Sequence, residues 1–199
     1  MPASTTREEA KTKKRQELLS AAADAIARNG FRETRLQDIG AAVGISGPGI
    51  YRYVDSKEAL LAEIMVEISE RLLAGAQAIL ASGEEARVAP VVELEQLVDF
   101  HLDVTVNESS LVYLQMREVG NLDEVSGEKV RELQRAYMRI WTDVLLRVHP
   151  SLTRPEARLR VQLVAGMLNA TRYVIHWADP DMVREHGRAM AMDSFLAAA

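Results

Sequence analysis

The chain has 199 residues, a 48% hydrophobic share, 5% aromatic content and a formal net charge of −5. That length allows one or two compact domains with a substantial core. The absence of cysteine excludes a disulfide framework and thiolate metal sites; no apolar run approaches the ~20 residues that span a bilayer.

The opening stretch, MPASTTREEAKTKKR, lacks the apolar core of a signal peptide, and a cytoplasmic protein without a membrane partner is expected. Residues 1 to about 10 show no periodicity and read as a flexible arm. Lys11, Lys13, Lys14 and Arg15 then lead into a helix whose buried stripe is Leu18, Ala22, Ala25 and Ile26, ended by Asn29-Gly30. Basic charge at a helix start opposes the helix dipole. A phosphate-binding role for Lys11 and Lys14 is therefore preferred over a merely solvated helix start.

The segment LQDIGAAVGISGPGIYRYVDSK, from Leu36 to Lys57, reads as two short helices joined by a tight turn. Leu36, Ile39 and Val43 share one face. Thr34 is placed to cap the first helix, with Arg35 beside it at the start. Gly44 ends it, accepting the positive φ of a helix terminus. Ser46 can cap the second helix, and Pro48 fits its first turn. Ile50 and Val54 return to the core, so Tyr51 and Arg52 point outward and Tyr53 flanks them. Asp55 and Glu58 resemble a capping box, and Lys57 lies beside free N–H groups, a natural phosphate seat. An outward Tyr-Arg-Tyr face suits a helix-turn-helix, whose second helix enters the major groove; an ordinary helical hairpin with a solvated face is the other reading. Residues 1–60 carry a net +2 and the remainder −7. DNA meets the local field and not the total.

From Ala59 to about Ala81, Leu60, Leu61, Ile64, Ile68, Leu72 and Ile79 sustain one long helix, followed by a polar loop at Ser82–Glu85. No Gly/Ser-rich tether follows, so a packed junction is expected. The rest reads as helices over 90–107, 109–119, 128–149, 156–178 and 181–197, with Ser126-Gly127 in a loop. The helix over 156–178 is apolar around most of its circumference and should be buried on several sides; with the last helix it suits a two-fold seam. His149 and His186 are expected at the surface, and His101 and His176 in the core or a pocket wall. No metal-ligand spacing, catalytic arrangement or cofactor motif is evident, so no enzyme is expected. Tyr137 with Trp141, and Tyr173 with Trp177, are i, i+4 pairs that fit either core packing or an apolar chamber with polar anchors. The candidate chamber residues are His101, Leu114, Met116, Tyr137, Trp141, Asn169, Arg172 and Tyr173. Arg172 or His101 could meet a carboxylate or phosphate, which suits a fatty acid or acyl thioester.

The run from Gly30 to Lys57 closely resembles the DNA-binding signature of the TetR/AcrR family of bacterial repressors. Gly30-Phe31, Asp38-Ile39, Gly44-Ile45-Ser46, Ile50-Tyr51 and Ser56-Lys57 match in register without gaps. The form GISGPGIYRY is also similar to actinobacterial members tied to lipid or acyl-thioester metabolism. The resemblance implies an all-α fold: a helix-turn-helix domain over 1–55, joined by a long helix to a helical ligand-binding and dimerisation domain over 56–199. It implies a homodimer through the last two helices that binds a palindromic double-stranded operator. Release would follow binding of a small apolar or amphipathic effector. It further implies that Gln37 reaches a base edge, where Gln can pair with adenine, and that Tyr53 touches phosphate. The chain departs from the family pattern at Arg35, where a second Thr is common, and at Gly47 and Gly49, where relatives often carry base-reading side chains. Readout would then shift to Gln37, Pro48, Tyr51 and Arg52. The implied DNA-binding set is Lys11, Lys14, Thr34, Arg35, Gln37, Ser46, Gly47, Pro48, Gly49, Tyr51, Arg52, Tyr53 and Lys57. A constitutive DNA-binding protein without an inducer, and an α-helical lipid-binding protein or enzyme, stay open beside this reading.

Overall fold

The computed structural model describes residues 3–197, with side chains described from residue 9 onward. Among these residues every regular element is helical: α1 (Ala3–Asn29), α2 (Leu36–Ala42), α3 (Lys57–Ala86), α4 (Pro90–Asn107), α5 (Ser109–Arg117), α6 (Glu124–Val148), α7 (Arg154–Asn169) and α8 (Pro180–Leu196), with short 3-10 helices between some of them. None is long and apolar enough to cross a membrane.

The N-terminal module closes on one core. Leu18, Ala22 and Ile26 of α1 meet Leu36 and Ile39 of α2, Ile50 and Val54 beyond the turn, and Leu60, Leu61 and Ile64 of α3. Gly44 makes the turn with φ +71°, a conformation that side chains with a Cβ resist. Gly40 lets the two short helices cross closely, since a Cβ there would lie 3.1 Å from Ile50 Cδ1. The second helix, Gly47–Arg52, is a 3-10 helix. Two glycines in six residues weaken α-helical propensity, and the burial of Ile50 and Val54 fixes the turn instead.

Several boundaries differ from the sequence reading. The expected arm is helical from Ala3 onward, while Met1 and Pro2 lie outside the described residues. The segment TREEAKTKKR is rich in good helix formers but carries no apolar periodicity that would announce a helix. The expected loop at Ser82–Glu85 is the last turn of α3, which runs to Ala86 and ends at Arg87 with φ 54°. Gly83 is buried there: a Cβ would lie 2.9 Å from Glu93 Oε1. Glu93, also buried, pairs with Arg147 of α6. Ser126-Gly127 belongs to α6, whose start is capped by Asp123 accepting from Ser126 N at 3.0 Å.

The expected helix over 156–178 is shorter. It stops at Asn169, tightens into a 3-10 turn over Ala170–Tyr173 and passes through further turns to α8. Leu159 and Leu163 are 61% and 65% exposed, so within this chain the helix is not buried on several sides. Trp177 and Tyr173 are exposed as well, so they form neither core packing nor a chamber wall. His176 is exposed rather than in a wall. His149 is half-buried and donates from Nε2 to the Phe195 carbonyl at 2.9 Å.

The body's core joins α4, α6, α7 and α8 around Leu94, Leu97, Val98, Trp141, Val144, Leu168 and Phe195. The long α3 packs on α6 and α4. At Gly75 a Cβ would sit 2.2 Å from Phe100 Cζ, so the ring lies directly on the α3 backbone. One stiff element thus runs from the N-terminal module into the body.

Candidate nucleic-acid interface and effector chamber

Arg35, Gln37, Ser46, Pro48, Tyr51 and Arg52 are exposed around α2 and the 3-10 helix, with Gly47, Gly49 and Tyr53 partly covered among them. Gln37 lies against the start of the 3-10 helix, where a Cβ on Gly47 would be 3.5 Å from Gln37 Cγ. Gly49 has an internal reason for lacking a side chain, because its Cβ would fall 2.8 Å from Ser46 Oγ. Ser46 itself makes no side-chain cap.

Thr34 and Lys57 are placed differently from the expectation. Thr34 is buried and donates from Oγ1 to the Gly30 carbonyl at 2.8 Å, while Arg35 occupies the N-cap of α2. Lys57 Nζ donates to the Phe31 carbonyl at 2.6 Å and the Thr34 carbonyl at 2.9 Å, and lies 4.4 Å from the Phe31 ring centroid. Its ammonium holds the α1–α2 turn together instead of waiting for a phosphate. Ser56, not Asp55, caps α3 by accepting from Ala59 N at 3.0 Å. On α1, Lys11 is exposed and Lys14 pairs with Glu17 at 2.9 Å. Arg15 reaches Glu63 Oε1 at 2.7 Å and also the Tyr53 carbonyl, tying α1 to α3 and to the end of the 3-10 helix. That role was missed in the sequence, where Arg15 reads as one more basic surface residue.

The body contains a cavity of about 1290 Å³, walled by α3, α4, α5, α6 and α7. Ile68, Leu72, Val104, Val112, Met138, Val161 and Ala165 supply apolar surface. Of the eight expected chamber residues, His101, Met116, Tyr137 and Asn169 are on the wall. Leu114 is instead buried in the N-terminal module's core. Trp141 stands behind the wall, its ring centroid 5.8 Å from that of His101 and 6.0 Å from that of Tyr137. Arg172 and Tyr173 are outside the cavity. Because α7 ends at Asn169, the 3-10 turn carries them away, and Arg172 stacks 4.8 Å from the Tyr113 centroid and donates to the Tyr173 hydroxyl at 2.6 Å.

His101 is enclosed on the polar part of the wall. Burial lowers its pKa to about 4, so the imidazole is neutral near pH 7. Its two nitrogens lie 3.1 Å from the Tyr137 hydroxyl and 3.1 Å from Asn169 Oδ1. Gln134 donates to Gln115, which donates to Ser69 Oγ at 2.7 Å and the Met65 carbonyl at 3.2 Å. Both glutamines line the cavity, so this polar link runs from the wall to α3.

The sequence reading also missed the cavity's cationic side. Arg131, Arg135, Arg139, Arg154 and Arg158 all line it, and all five are exposed, which places them at its solvent end. Arg131 and Arg135 pair with Glu128, and Arg154 with Asp143. The i, i+4, i+8 spacing on α6 was the available signal, though on an amphipathic helix it reads equally as a solvated face.

A family model described as "Bacterial regulatory proteins, tetR family" matches residues 18–64, and one described as "Tetracyclin repressor-like, C-terminal domain" matches residues 88–181. The HTH-type transcriptional repressor KstR2 of Rhodococcus jostii (strain RHA1) is 33% identical over 138 residues, which cover 68% of this chain and 65% of that protein, a little under two thirds of its length. KstR2 of Mycolicibacterium smegmatis is 25% identical, covering 84% of this chain and 80% of that one. Among solved structures, a TetR-family transcriptional regulator from Bordetella parapertussis 12822 superposes with a TM-score of 0.81 at 25% identity, over 92% of this chain and 93% of that chain. AibR, solved in complex with isovaleryl coenzyme A and operator DNA, shares the fold with a TM-score of 0.72 at 19% identity, over 90% and 96% of the two chains. Matched in both its N-terminal module and its helical body, the chain belongs to the tetR family of bacterial regulatory proteins.

Proposed function

We propose that the protein is a ligand-responsive transcriptional repressor that binds a palindromic operator as a homodimer and is released by an acyl thioester. The observation that carries the effector class is the cavity: about 1290 Å³, with an apolar inner wall and five arginines at its solvent end. That volume exceeds the ~300–1,000 Å³ of ordinary small-molecule pockets. An acyl chain fits the apolar wall, and guanidinium groups match phosphate oxygens in charge and geometry. Arg139 and Arg158 make no ion pair among the described residues, which leaves them available to a polyanionic head group. The AibR complex supports the choice, since the same helical frame accommodates an acyl-coenzyme A there. A constitutive DNA binder would have no use for such a chamber.

On the DNA side, Arg35, Gln37, Pro48, Tyr51 and Arg52 form the proposed contact face, with Lys11 and Tyr53 toward the phosphates. Leu159 and Leu163 of α7 with Met182, Met190 and Leu196 of α8 are exposed apolar residues, and they supply the proposed seam. A symmetric pair would present two recognition faces about 34 Å apart, one turn of the duplex. Binding-site selection with the purified protein followed by fluorescence anisotropy tests the reading. A palindrome should be enriched, and dodecanoyl-coenzyme A should release it at concentrations where free dodecanoate does not. Selection of no sequence, or release by neither compound, would refute the corresponding half.

A further inference from the structure

The polar part of the chamber wall is a hydrogen-bonded chain with a defined direction. Asn169 Oδ1 can only accept, so the His101 nitrogen 3.1 Å away, Nε2, carries the proton. A neutral imidazole has one N–H, so Nδ1 must accept, and the Tyr137 hydroxyl 3.1 Å away donates to it. The order is Tyr137 O–H to His101, then His101 N–H to Asn169. Each group fixes the hydrogen of the next. Burial of His101 and Tyr137 keeps the chain from exchanging partners with water. At its end, Asn169 lines the cavity and is only half-buried. Its amide nitrogen, Nδ2, has two N–H groups and no protein acceptor among the described residues, while its oxygen is pinned by His101.

We propose that Asn169 Nδ2 is a carbonyl reader: it donates to the acyl oxygen of the effector, and His101 and Tyr137 are positioning residues that aim it. The proposal rests on the acyl-thioester reading above and adds how the chamber tells a thioester from an equally long, equally charged molecule without the oxygen. A free donor beside apolar wall residues favours a ligand that brings an acceptor, because an unmatched ligand leaves the N–H groups desolvated. The apolar wall and the arginines cannot make that distinction, as neither depends on the acyl oxygen.

The test compares two probes, dodecanoyl-coenzyme A and S-dodecyl-coenzyme A, which differ only in C=O against CH₂. Dissociation constants are read by calorimetric titration of the full-length protein. The wild type should hold the thioester about two- to twelvefold more tightly than the thioether, the range expected for one hydrogen bond to a neutral group. Asn169→Asp, which keeps the shape and the acceptor for His101 but removes both donors, should bring the ratio to about one or below. Asn169→Leu should bring it to about one with thioether affinity retained. Tyr137→Phe, which keeps the ring on the wall and removes only the hydroxyl that donates to His101, should lower the ratio, a change that lost packing alone would not produce, since packing affects both probes alike. Equal binding of the two probes by the wild type overturns the carbonyl reader while leaving the acyl-thioester chamber intact. Binding of neither overturns the chamber reading and this inference with it. The wild-type ratio decides the matter even if a variant fails to fold.

Discussion

Lys57 is tied into the N-terminal module and Arg35 stands exposed on it, so a structural role and the proposed DNA contact can be separated. Lys57 holds the carbonyls of Phe31, Arg32 and Thr34, so Lys57→Met should destabilise the protein by about 1–3 kcal/mol, the cost of leaving such acceptors unmatched. The slope of log affinity against log salt should stay unchanged for that variant, since no phosphate contact is lost. Arg35→Ala should do the opposite, reducing the slope by about 1 with little change in melting temperature. Salt titrations of operator binding beside thermal melts separate the two. Lys57 was not legible as a tie because its partners are backbone carbonyls of the turn before α2, which sequence periodicity does not locate.

His101 was legible as a wall or core histidine, and its titration gives a second residue-scale prediction. Its folded pKa, about 4, lies below the value of the unfolded chain, because burial penalises the imidazolium. The unfolded state therefore binds more protons between about pH 6.5 and 4. The stability His101 allows is complete above about pH 6.5 and lost as pH falls through that window, by on the order of 3 kcal/mol. His101→Gln should be less stable at pH 7 but should show a shallower decline toward pH 4.5 in urea unfolding. A decline equally steep in both proteins would show that carboxylates alone govern the acid limb.

At the scale of elements, helix existence was readable from apolar spacing, and helix ends were readable only where a local residue sets them. Pro90 opens α4 where expected, and α8 begins at Pro180, one residue before the expected 181. The end of α3 was hidden because Gly83, which looks like a loop residue, is buried against Glu93 of α4, whose carboxylate pairs with Arg147. The end of α7 was hidden because no Gly or Pro marks Ala170–Tyr173, and the stacking of Arg172 on Tyr113 there is a long-range contact. The chamber's arginines needed α6 and α7 to be placed side by side before they could be seen as one group.

The element that would carry a signal is α3; Gln115 on the wall reaches it through hydrogen bonds, and Gln134 donates to Gln115. An effector that displaces Gln134 from Gln115 also loosens Gln115 from Ser69 and Met65 on α3. Gln134→Leu removes the first link in the uneffected protein. If the link couples the sites, acyl-coenzyme A affinity should change less than twofold while the ratio of operator affinities without and with effector shrinks severalfold. Coupling is that ratio, and a change in effector affinity alone would not alter it. An unchanged ratio would place the transmission elsewhere, with the Gly75–Phe100 contact as the next point where α3 is gripped.

At the scale of the whole molecule, the proposed homodimer on its operator needs two forces of opposite salt response to act together. The body carries the chain's negative excess, −7 beyond residue 60, so two bodies repel each other as they approach. Leu159, Leu163, Met182, Met190 and Leu196 face outward, and in the proposed dimer they would supply the apolar contact that must exceed this repulsion. Salt screens exposed charges beyond about 8 Å at physiological strength and leaves apolar burial largely intact. Dimerisation should therefore tighten as salt rises from 50 to 300 mM, whereas operator binding, which releases counterions from the duplex, should weaken. Leu163→Glu places a carboxylate on the seam and its symmetry mate on the other copy. Sedimentation should then show a monomer, and operator affinity should fall toward the ~10⁻⁴–10⁻⁶ M of non-specific contact. The chamber, walled from a single chain, should still bind dodecanoyl-coenzyme A. A Leu163→Glu protein that stays dimeric and keeps its operator would move the seam off α7.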